Sequence, residues 1–189
     1  QSILKKPIGK SVKHYYSLSD EFEGPKPGIQ WRTANAKMGE VFKVENKTLK
    51  GSAFGNTLHE SNRIFCLATD KSYEITAEIE SSTEVEASLA LHSNALNFVG
   101  ISIKNKIVSV NGPGRAKRPT FEIGQNKTYF KLRNVQNDVS FFWSLDGNNW
   151  EKYPNSFEVS AFERASITLF GMGSGEFKVK NFKYLPLNF

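Results

Sequence analysis

The sequence has few of the residues that cross-link small proteins through disulfides or bound zinc. It has a single cysteine, Cys66, so no intramolecular disulfide can form. Cys66 lies in the apolar run RIFCLA, where a thiol packs as a small hydrophobe. The three histidines, His14, His59 and His92, show no ligand spacing with one another or with Cys66, which argues against a zinc site. A chain of 189 residues is long enough to bury one sizeable core without such cross-links.

Long apolar runs and catalytic signatures are also missing. No run approaches the roughly 20 apolar residues of a membrane span, and no signal-peptide pattern is present, so we expect no membrane partner. No Gly-x-Ser-x-Gly elbow accompanies the isolated histidines, and no nucleophilic triad is predicted. The run GMGSG is not followed by a helix that begins Lys-Ser/Thr, and we interpret it as a turn. Because the sequence begins at Gln1, we expect a processed chain or a piece of a longer protein.

Aromatic residues and positive charge are what the chain has in excess. Fifteen Phe, six Tyr and three Trp against two Met favour β-structure, since aromatic side chains suit a half-buried pleated surface. The net charge of +6 is scattered, with one local concentration at Arg115, Lys117 and Arg118. Such an excess permits an acidic partner, either a nucleic acid or an acidic polysaccharide.

The chain divides into two parts by pattern. Residues 1–17 are basic and without period, which indicates a linker or an N-terminal arm. Residues 18–189 consist of short alternating segments separated by turn signals, a pattern typical of a single all-β sandwich or jelly roll.

Strict alternation predicts four strands, at 72–81, 85–93, 98–104 and 128–135. In the second of these the outward positions are small or polar, which leaves room for a ligand to lie on that face. Those outward positions are Glu86, Ser88, Ala90 and His92.

The sharpest local signal is a hairpin within VSFFWSLDGNNWEKY. Asp146-Gly147 between two aromatic runs is a strong turn cue. In the pattern formed by Ser144, Asp146, Gly147 and Trp150, the aspartate can accept hydrogen bonds from turn amides while the tryptophan packs across the hairpin. We favour this structural role for Trp150 over sugar stacking.

Together these segments resemble the C-terminal β-sandwich domain of many family-43 glycoside hydrolases, the β-xylosidase and arabinofuranosidase group. LSDEFEGPKPGIQW is similar to the usual start of that domain, and ASLALHSNALNFVGISIKN to its two central strands. FFWSLDGNNWEKY is similar to its Ser-x-Asp-Gly-x-x-Trp hairpin, and GEFKVKNFKYL to its closing strand. The similarity extends over about residues 17–186.

The resemblance implies a fold and a function. It implies an all-β, concanavalin A-like jelly-roll sandwich of two antiparallel sheets, non-catalytic by itself. The implied role is a carbohydrate-binding or accessory domain of a plant-polysaccharide glycoside hydrolase, with a xylan-like polysaccharide or oligosaccharide as partner. An alternative is a docking domain that shapes the active site of a catalytic propeller, in which case the arm at 1–17 arrives from the catalytic domain. The implied location is extracellular, periplasmic or at the cell surface of a bacterium.

The resemblance also makes calcium a candidate cofactor. In proteins of this fold a structural calcium ion is often held by backbone carbonyls near the opening segment and by a side chain of the last strand, through oxygen ligands. The equivalent residues here are Glu21, Glu23 and Asn181, where an asparagine in place of a carboxylate weakens the site.

Carbohydrate recognition requires a flat aromatic ring surrounded by polar groups that bond to hydroxyls. Two clusters are candidates, one after the opening loop and one on an open sheet, although Trp31 fits a core position equally well. The first cluster is Trp31, Arg32 and Asn35, and the second is His92, Tyr129, Arg133 and Trp143.

Two rival functions are less favoured. A glycosidase needs two carboxyl groups about 5 to 9.5 Å apart, and the same-face pairs Glu78 with Glu80 and Glu84 with Glu86 lie on faces that alternation predicts to be solvent-exposed. A jelly-roll glycosidase would also carry a Glu-x-Asp-x-x-Glu run, which is missing. The sequence has no recognised nucleic-acid-binding motif, and acidic residues on neighbouring strand faces weaken the positive potential of its basic residues. That set is Lys104, Lys106, Arg115, Lys117, Arg118, Lys127, Lys131 and Arg133.

Overall fold

The structure, a computed structural model, describes residues 17–112, 118–162 and 164–187. Except for Ser17, the predicted arm lies outside these residues. No helix in the described ranges has the length and apolar character to cross a membrane. The strands are β1 (Arg32–Ala34), β2 (Phe42–Glu45), β3 (Thr48–Ala53), β4 (Arg63–Leu67), β5 (Ser72–Ser81), β6 (Val85–Asn94), β7 (Asn97–Lys104), β8 (Ile107–Asn111), β9 (Phe121–Glu122), β10 (Lys127–Val135), β11 (Asp138–Ser144), β12 (Glu151–Glu158), β13 (Ser166–Gly173) and β14 (Gly175–Pro186).

The strands form two seven-stranded antiparallel sheets. Sheet I has the order β1-β4-β13-β6-β7-β8-β9, and sheet II has the order β12-β11-β10-β5-β14-β3-β2. The predicted sandwich of two antiparallel sheets is therefore confirmed. The four strands predicted from alternation correspond to β5, β6, β7 and β10, with ends that agree to within one residue.

The core lies between the sheets because one face of each strand is apolar. Alternate residues of β5 in sheet II and of β6 in sheet I point inward and are fully buried, as the period-two pattern predicts. Cys66 on β4 is 1% exposed within this core, and burial raises the pKa of its thiol to about 12. The thiol is thus protonated at neutral pH and packs as a small apolar group, as expected.

The opening segment is tied to the last strand by one aspartate. Asp20 exchanges backbone hydrogen bonds with Phe182 on β14, at 2.8 and 3.1 Å. Its carboxylate accepts hydrogen bonds from the backbone amides of Phe22 and Gly28, both at 2.8 Å, and from Nε1 of Trp31 at 2.9 Å. The Trp31 ring packs edge-on against Phe182 with centroids 4.8 Å apart, and Trp31 is only 3% exposed. Trp31 therefore belongs to the core, which contradicts its prediction as a sugar-stacking platform.

The hairpin between β11 and β12 has the predicted turn chemistry. One carboxylate oxygen of Asp146 accepts hydrogen bonds from the amides of Asn148 and Asn149, both at 2.8 Å. These bonds stabilise the ionised form and hold the pKa of Asp146 far below its usual range. The Trp150 ring contacts Lys131, whose ammonium lies 4.2 Å from the ring centroid, so one face of that ring is already occupied.

Candidate functional site

The outer face of sheet I is the surface we call the sheet I face, formed by the residues of β6, β7, β8 and their neighbours that point away from the core. Its floor is low because the central outward residues are small: Ala90 on β6 stands opposite Gly100 on β7, and Ser88 opposite Ser102. A Cβ atom at Gly100 would lie 2.6 Å from the Cβ of Ala90, so only glycine fits at that position.

Four polar side chains from three strands form the Glu86 cluster: Glu86, Ser102, Ser109 and Asn111. The Ser102 hydroxyl donates to Glu86 Oε1 at 2.8 Å, and Asn111 Nδ2 donates to the same oxygen. Asn111 Nδ2 also donates to Ser102 Oγ at 3.0 Å, and the hydroxyls of Ser102 and Ser109 are 3.0 Å apart. Glu86, Ser109 and Asn111 are half-buried, so the cluster reaches the protein surface.

Two polar atoms of the same face are buried without a partner among the described residues. They are Oγ of Ser88, a residue that is 2% exposed, and Nε2 of His92. Burial, together with the nearby positive charges of Arg63 and His59, lowers the pKa of His92 to about 4. The imidazole is consequently neutral at physiological pH, when it presents one donor and one acceptor.

Residues 54–62, between β3 and β4, form a wall beside this floor. Leu58 packs onto it and is 4% exposed. Asn35 Nδ2 donates to the backbone carbonyl of His59 at 2.6 Å, and Arg63 donates to the carbonyl of Leu58 at 3.0 Å. Asn35, predicted to bind sugar, thus holds this wall in place through its side-chain amide.

The predicted cluster on an open sheet is not assembled. His92 lies on the sheet I face, whereas Tyr129 and Arg133 point outward from β10 in sheet II. Trp143 points between the sheets, is 8% exposed, and stacks on Phe121 with centroids 4.6 Å apart. The grouping was wrong because alternation assigns a side chain to the inside or the outside, but does not assign its strand to a sheet.

Of the first predicted cluster, Arg32 and Asn35 are exposed, and only Trp31 is buried. Arg32 lies on β1. It stands opposite Phe65 on β4 and is exposed at the edge of sheet I. Its guanidinium donates to the carbonyls of Ile29 at 2.6 Å and Trp31 at 2.8 Å. Arg32 therefore lies at the rim of the sheet I face rather than beside a tryptophan platform.

The carboxylate pairs considered for catalysis are engaged elsewhere. Glu78 is 7% exposed and pairs with Lys127 at 3.0 Å, and Glu80 pairs with Lys178 at 2.8 Å. Glu80 and Glu86 are half-buried, so full solvent exposure was wrongly predicted for Glu78, Glu80 and Glu86, whereas Glu84 is exposed as predicted. Cross-strand ion pairs of this kind stabilise a sheet.

The residues predicted to hold calcium lie around the junction of the opening segment with β14, where Asp20 pairs with Phe182. The Glu23 carboxylate is bound by Lys47 at 2.6 Å, while Glu21 is exposed. Asn181 is exposed in an irregular part of β14, at a positive φ of 52°. In the described ranges no group of three or more His, Cys, Asp or Glu side chains could hold a metal ion. A site built from backbone carbonyls of the opening segment and one side chain of β14 is of a different kind, so the calcium site stays a prediction.

The basic set is spread over both sheets. Lys127, Lys131 and Arg133 lie on the outer face of sheet II, where Lys131 pairs with Glu74 at 3.5 Å and Lys127 with Glu78. Lys104 and Lys106 lie instead at the turn between β7 and β8 of sheet I. Arg115 and Lys117 lie outside the described residues. The basic residues whose positions are described therefore do not form one stripe that a nucleic-acid backbone could follow.

Sequence reasoning identified the small, polar side of β6 but missed its partners on β8. Ser109 and Asn111 belong to the segment IVSVN, which alternates and follows β7 after a short turn. The period-two argument places both residues on the outer side of their strand, and the short turns that join β6 to β7 and β7 to β8 would have placed that strand in the sheet of Glu86.

A comparison with protein families gives a match over residues 19–173, to the family described as the beta xylosidase C-terminal concanavalin A-like domain. No curated protein matches the chain in sequence.

Solved structures share the fold at low sequence identity. The xylan beta-1,4-xylosidase from Bacillus halodurans C-125 is 12% identical, with a TM-score of 0.78 over 98% of this chain and 41% of that one. The GH43 BlXynB protein from Bacillus licheniformis is 11% identical, with a TM-score of 0.77 over 89% of this chain and 39% of that one. A bifunctional GH43-CE protein from Bacteroides eggerthii is 18% identical, with a TM-score of 0.75 over 90% of this chain and 27% of that one. The chain thus spans less than half the length of each of these proteins.

Proposed function

Because the chain belongs to the family of C-terminal concanavalin A-like domains of beta-xylosidases, we propose that it is a non-catalytic accessory domain whose sheet I face binds a β-linked, xylan-type polysaccharide. The observation that carries the proposal is the combination on this face of a floor of small residues with half-buried polar side chains beside it, Glu86, Ser109 and Asn111. A bound glycan would fill the first and form hydrogen bonds with the second. A domain with this role acts where plant polysaccharide is found, outside the cell or at the surface of a bacterium.

Sugar binding by this face would combine hydrogen bonding with one aromatic contact. Hydroxyl groups of a sugar both donate and accept, which matches the carboxylate, the hydroxyls and the amide of the Glu86 cluster. Phe98 is half-buried opposite His92 and offers an apolar surface for the face of a pyranose ring.

Hydrolysis is not part of the proposal. It would require two carboxyl groups facing each other across a sugar, whereas Glu78 and Glu80 each pair with a lysine. A turnover assay with aryl glycosides and polysaccharides at high protein concentration should give no product.

Calorimetry with xylo-oligosaccharides, arabinan and β-glucan tests the proposal. We expect the xylo-oligosaccharides to bind, and Phe98→Ala to weaken that binding by about tenfold through lost ring contact. The matched control is Phe142→Ala, since Phe142 is also half-buried but points outward from sheet II. Absence of binding to every glycan, or a larger effect of the control, would contradict the proposal.

A second candidate function, docking onto a catalytic domain, is favoured by exposed leucines at one end of sheet I. Leu67 on β4 is 57% exposed, and Leu96 in the turn between β6 and β7 is 76% exposed. This chain covers less than half of each matched enzyme chain, so the rest of such an enzyme is long enough to contain a catalytic domain. Docking predicts that the isolated chain self-associates at high concentration and that replacing both leucines by lysine prevents this in sedimentation experiments. A chain that stays monomeric at every concentration would argue against docking at this end.

A further inference from the structure

We propose that the Glu86 cluster is the subsite that reads the hydroxyl groups of the bound glycan, and that it selects neutral sugars over sugars that carry a carboxylate. This inference rests on the proposed function and adds the part of the sheet I face that determines specificity.

The cluster is organised before any ligand arrives. Ser102 is 1% exposed, and its hydroxyl is fixed between Glu86 and Ser109. Ser102 Oγ and Asn111 Nδ2 both donate to the same oxygen of Glu86. Because the Ser102 proton is used there, the Ser109 hydroxyl donates to Ser102 Oγ. The second oxygen, Oε2, accepts no hydrogen bond from the residues that the structure describes. A half-buried carboxylate with one oxygen bound and the other free is a fixed acceptor for a ligand donor.

A buried, unsatisfied hydroxyl extends the cluster along the floor. Ser88, Ser102 and Ser109 stand opposite one another on β6, β7 and β8, so they form one row across three strands. Ser88 Oγ has no partner among the described residues. Leaving a buried hydroxyl unpaired is unfavourable; because Ser88 and Ser102 are buried, Ser109 is the member of this row that a ligand can reach.

The charge of Glu86 gives the subsite its selectivity. An ionised carboxylate only accepts, and every hydroxyl of a neutral sugar can donate to it in a charge-assisted hydrogen bond. The carboxylate of a uronic acid also only accepts and carries the same charge, so it has no donor for Glu86 Oε2 and is repelled. The arginines of the same face, Arg32 and Arg63, lie on β1 and β4, and β13 separates both strands from the strand that carries Glu86. Their charges are therefore farther from the ligand than that of Glu86.

Replacing Glu86 by glutamine should change the preference rather than abolish binding. The amide oxygen can still accept from Ser102 and Asn111, which places the amide nitrogen where Oε2 was. A negatively charged acceptor at the ligand side thereby becomes a neutral donor. Such a donor can bind a hydroxyl or a carboxylate.

The experiment is calorimetry with two probes: an unsubstituted xylo-oligosaccharide and one that carries a glucuronic acid side group. We expect the wild-type chain to prefer the neutral probe by about tenfold, and Glu86→Ala to weaken its binding by about 10- to 100-fold. Glu86→Gln should bind the two probes within about threefold of each other. The matched controls are Glu84→Ala and Glu84→Gln, because Glu84 is exposed two residues before Glu86 and should leave both affinities unchanged.

The outcomes separate the two proposals. If the wild-type chain binds neither probe, the proposed function fails. If it binds the neutral probe and Phe98→Ala weakens this while both Glu86 variants do not, the proposed function stands and the present inference is overturned. A wild-type preference for the acidic probe, which the exposed Lys104 on the same face could produce, would also overturn it. Should Glu86→Ala fail to fold in thermal denaturation, the nearly isosteric Glu86→Gln still decides the question.

Discussion

Replacing Asp20 by alanine should destabilise the whole sandwich, because this carboxylate fixes the opening loop and a core tryptophan at once. Three hydrogen bonds, of 2.8, 2.8 and 2.9 Å, are lost together, from the amides of Phe22 and Gly28 and from Trp31 Nε1. Each is worth about 1 kcal/mol after solvent screening, and the indole N–H left without a partner in the core adds about 1 kcal/mol more. Phe22, held at a φ of 53°, also loses the bond that supports its left-handed backbone.

The expected loss in the free energy of unfolding is therefore about 4 kcal/mol, which corresponds to a decrease in Tm of about 8 to 16 °C for a domain of this size. Urea denaturation followed by fluorescence measures the first quantity, and calorimetry measures the second. Asp20→Asn should cost about half as much, because one oxygen can still accept a hydrogen bond and the amide nitrogen cannot. Glu21→Ala is the control, since Glu21 is exposed. A loss for Asp20→Ala below about 1 kcal/mol, or equal to that of the control, would refute the reasoning.

Three further predictions concern a titration, a glycine and the calcium site. The pKa of His92 is lowered to about 4 in the native fold, so between about pH 6.5 and pH 4 the unfolded chain binds a proton that the folded chain does not, and stability should decrease as the pH falls through this range. His92→Gln should flatten this part of the curve of stability against pH. An unchanged curve would contradict the lowered pKa of His92. Gly100→Ala should cost about 2 kcal/mol in urea denaturation, because its Cβ would lie 2.6 Å from that of Ala90, and a neutral effect would mean that the floor can move. Millimolar calcium should leave Tm unchanged, because no group of three or more His, Cys, Asp or Glu side chains in the described ranges could hold the ion. A rise in Tm that chelation reverses would show that a site exists.

The strands could be predicted well from the sequence because one face of each sheet is buried in the core and the other faces solvent. In segments such as 72–81 this leaves a period of two that can be read without knowing the partners. The period also identified the small, polar outer side of β6, where Glu86 and Ser88 lie. Which strands pair is a long-range property, and the pattern of one strand contains no information about it. For this reason the prediction that His92, Tyr129 and Arg133 lie together was wrong.

The tryptophans show a second limit of the sequence. Trp143 follows two phenylalanines, so alternation does not determine which of the three points inward. Trp31 lies in a loop without period, and its burial depends on Asp20, which supplies the acceptor that an indole N–H needs in a core. Aromatic residues near polar ones suggest sugar binding in a sequence, but the same neighbours also allow a tryptophan to be buried.

The two outer faces of the sandwich differ in how completely their polar groups are paired. On sheet II, Glu74, Glu78 and Glu80 each pair with a lysine on a neighbouring strand, so that face is complete without a ligand. On sheet I, Ser88 Oγ and His92 Nε2 are buried without partners among the described residues. Sheet II also contains two such atoms, Oγ of Ser81 and Nε of Arg133. Ser81 stands opposite the core residue Phe177, however, and the Arg133 guanidinium has other nitrogens with which to bond. Since unpaired buried groups lower stability, their presence beside a floor of small residues and the half-buried Glu86 cluster favours the sheet I face as the ligand-binding surface.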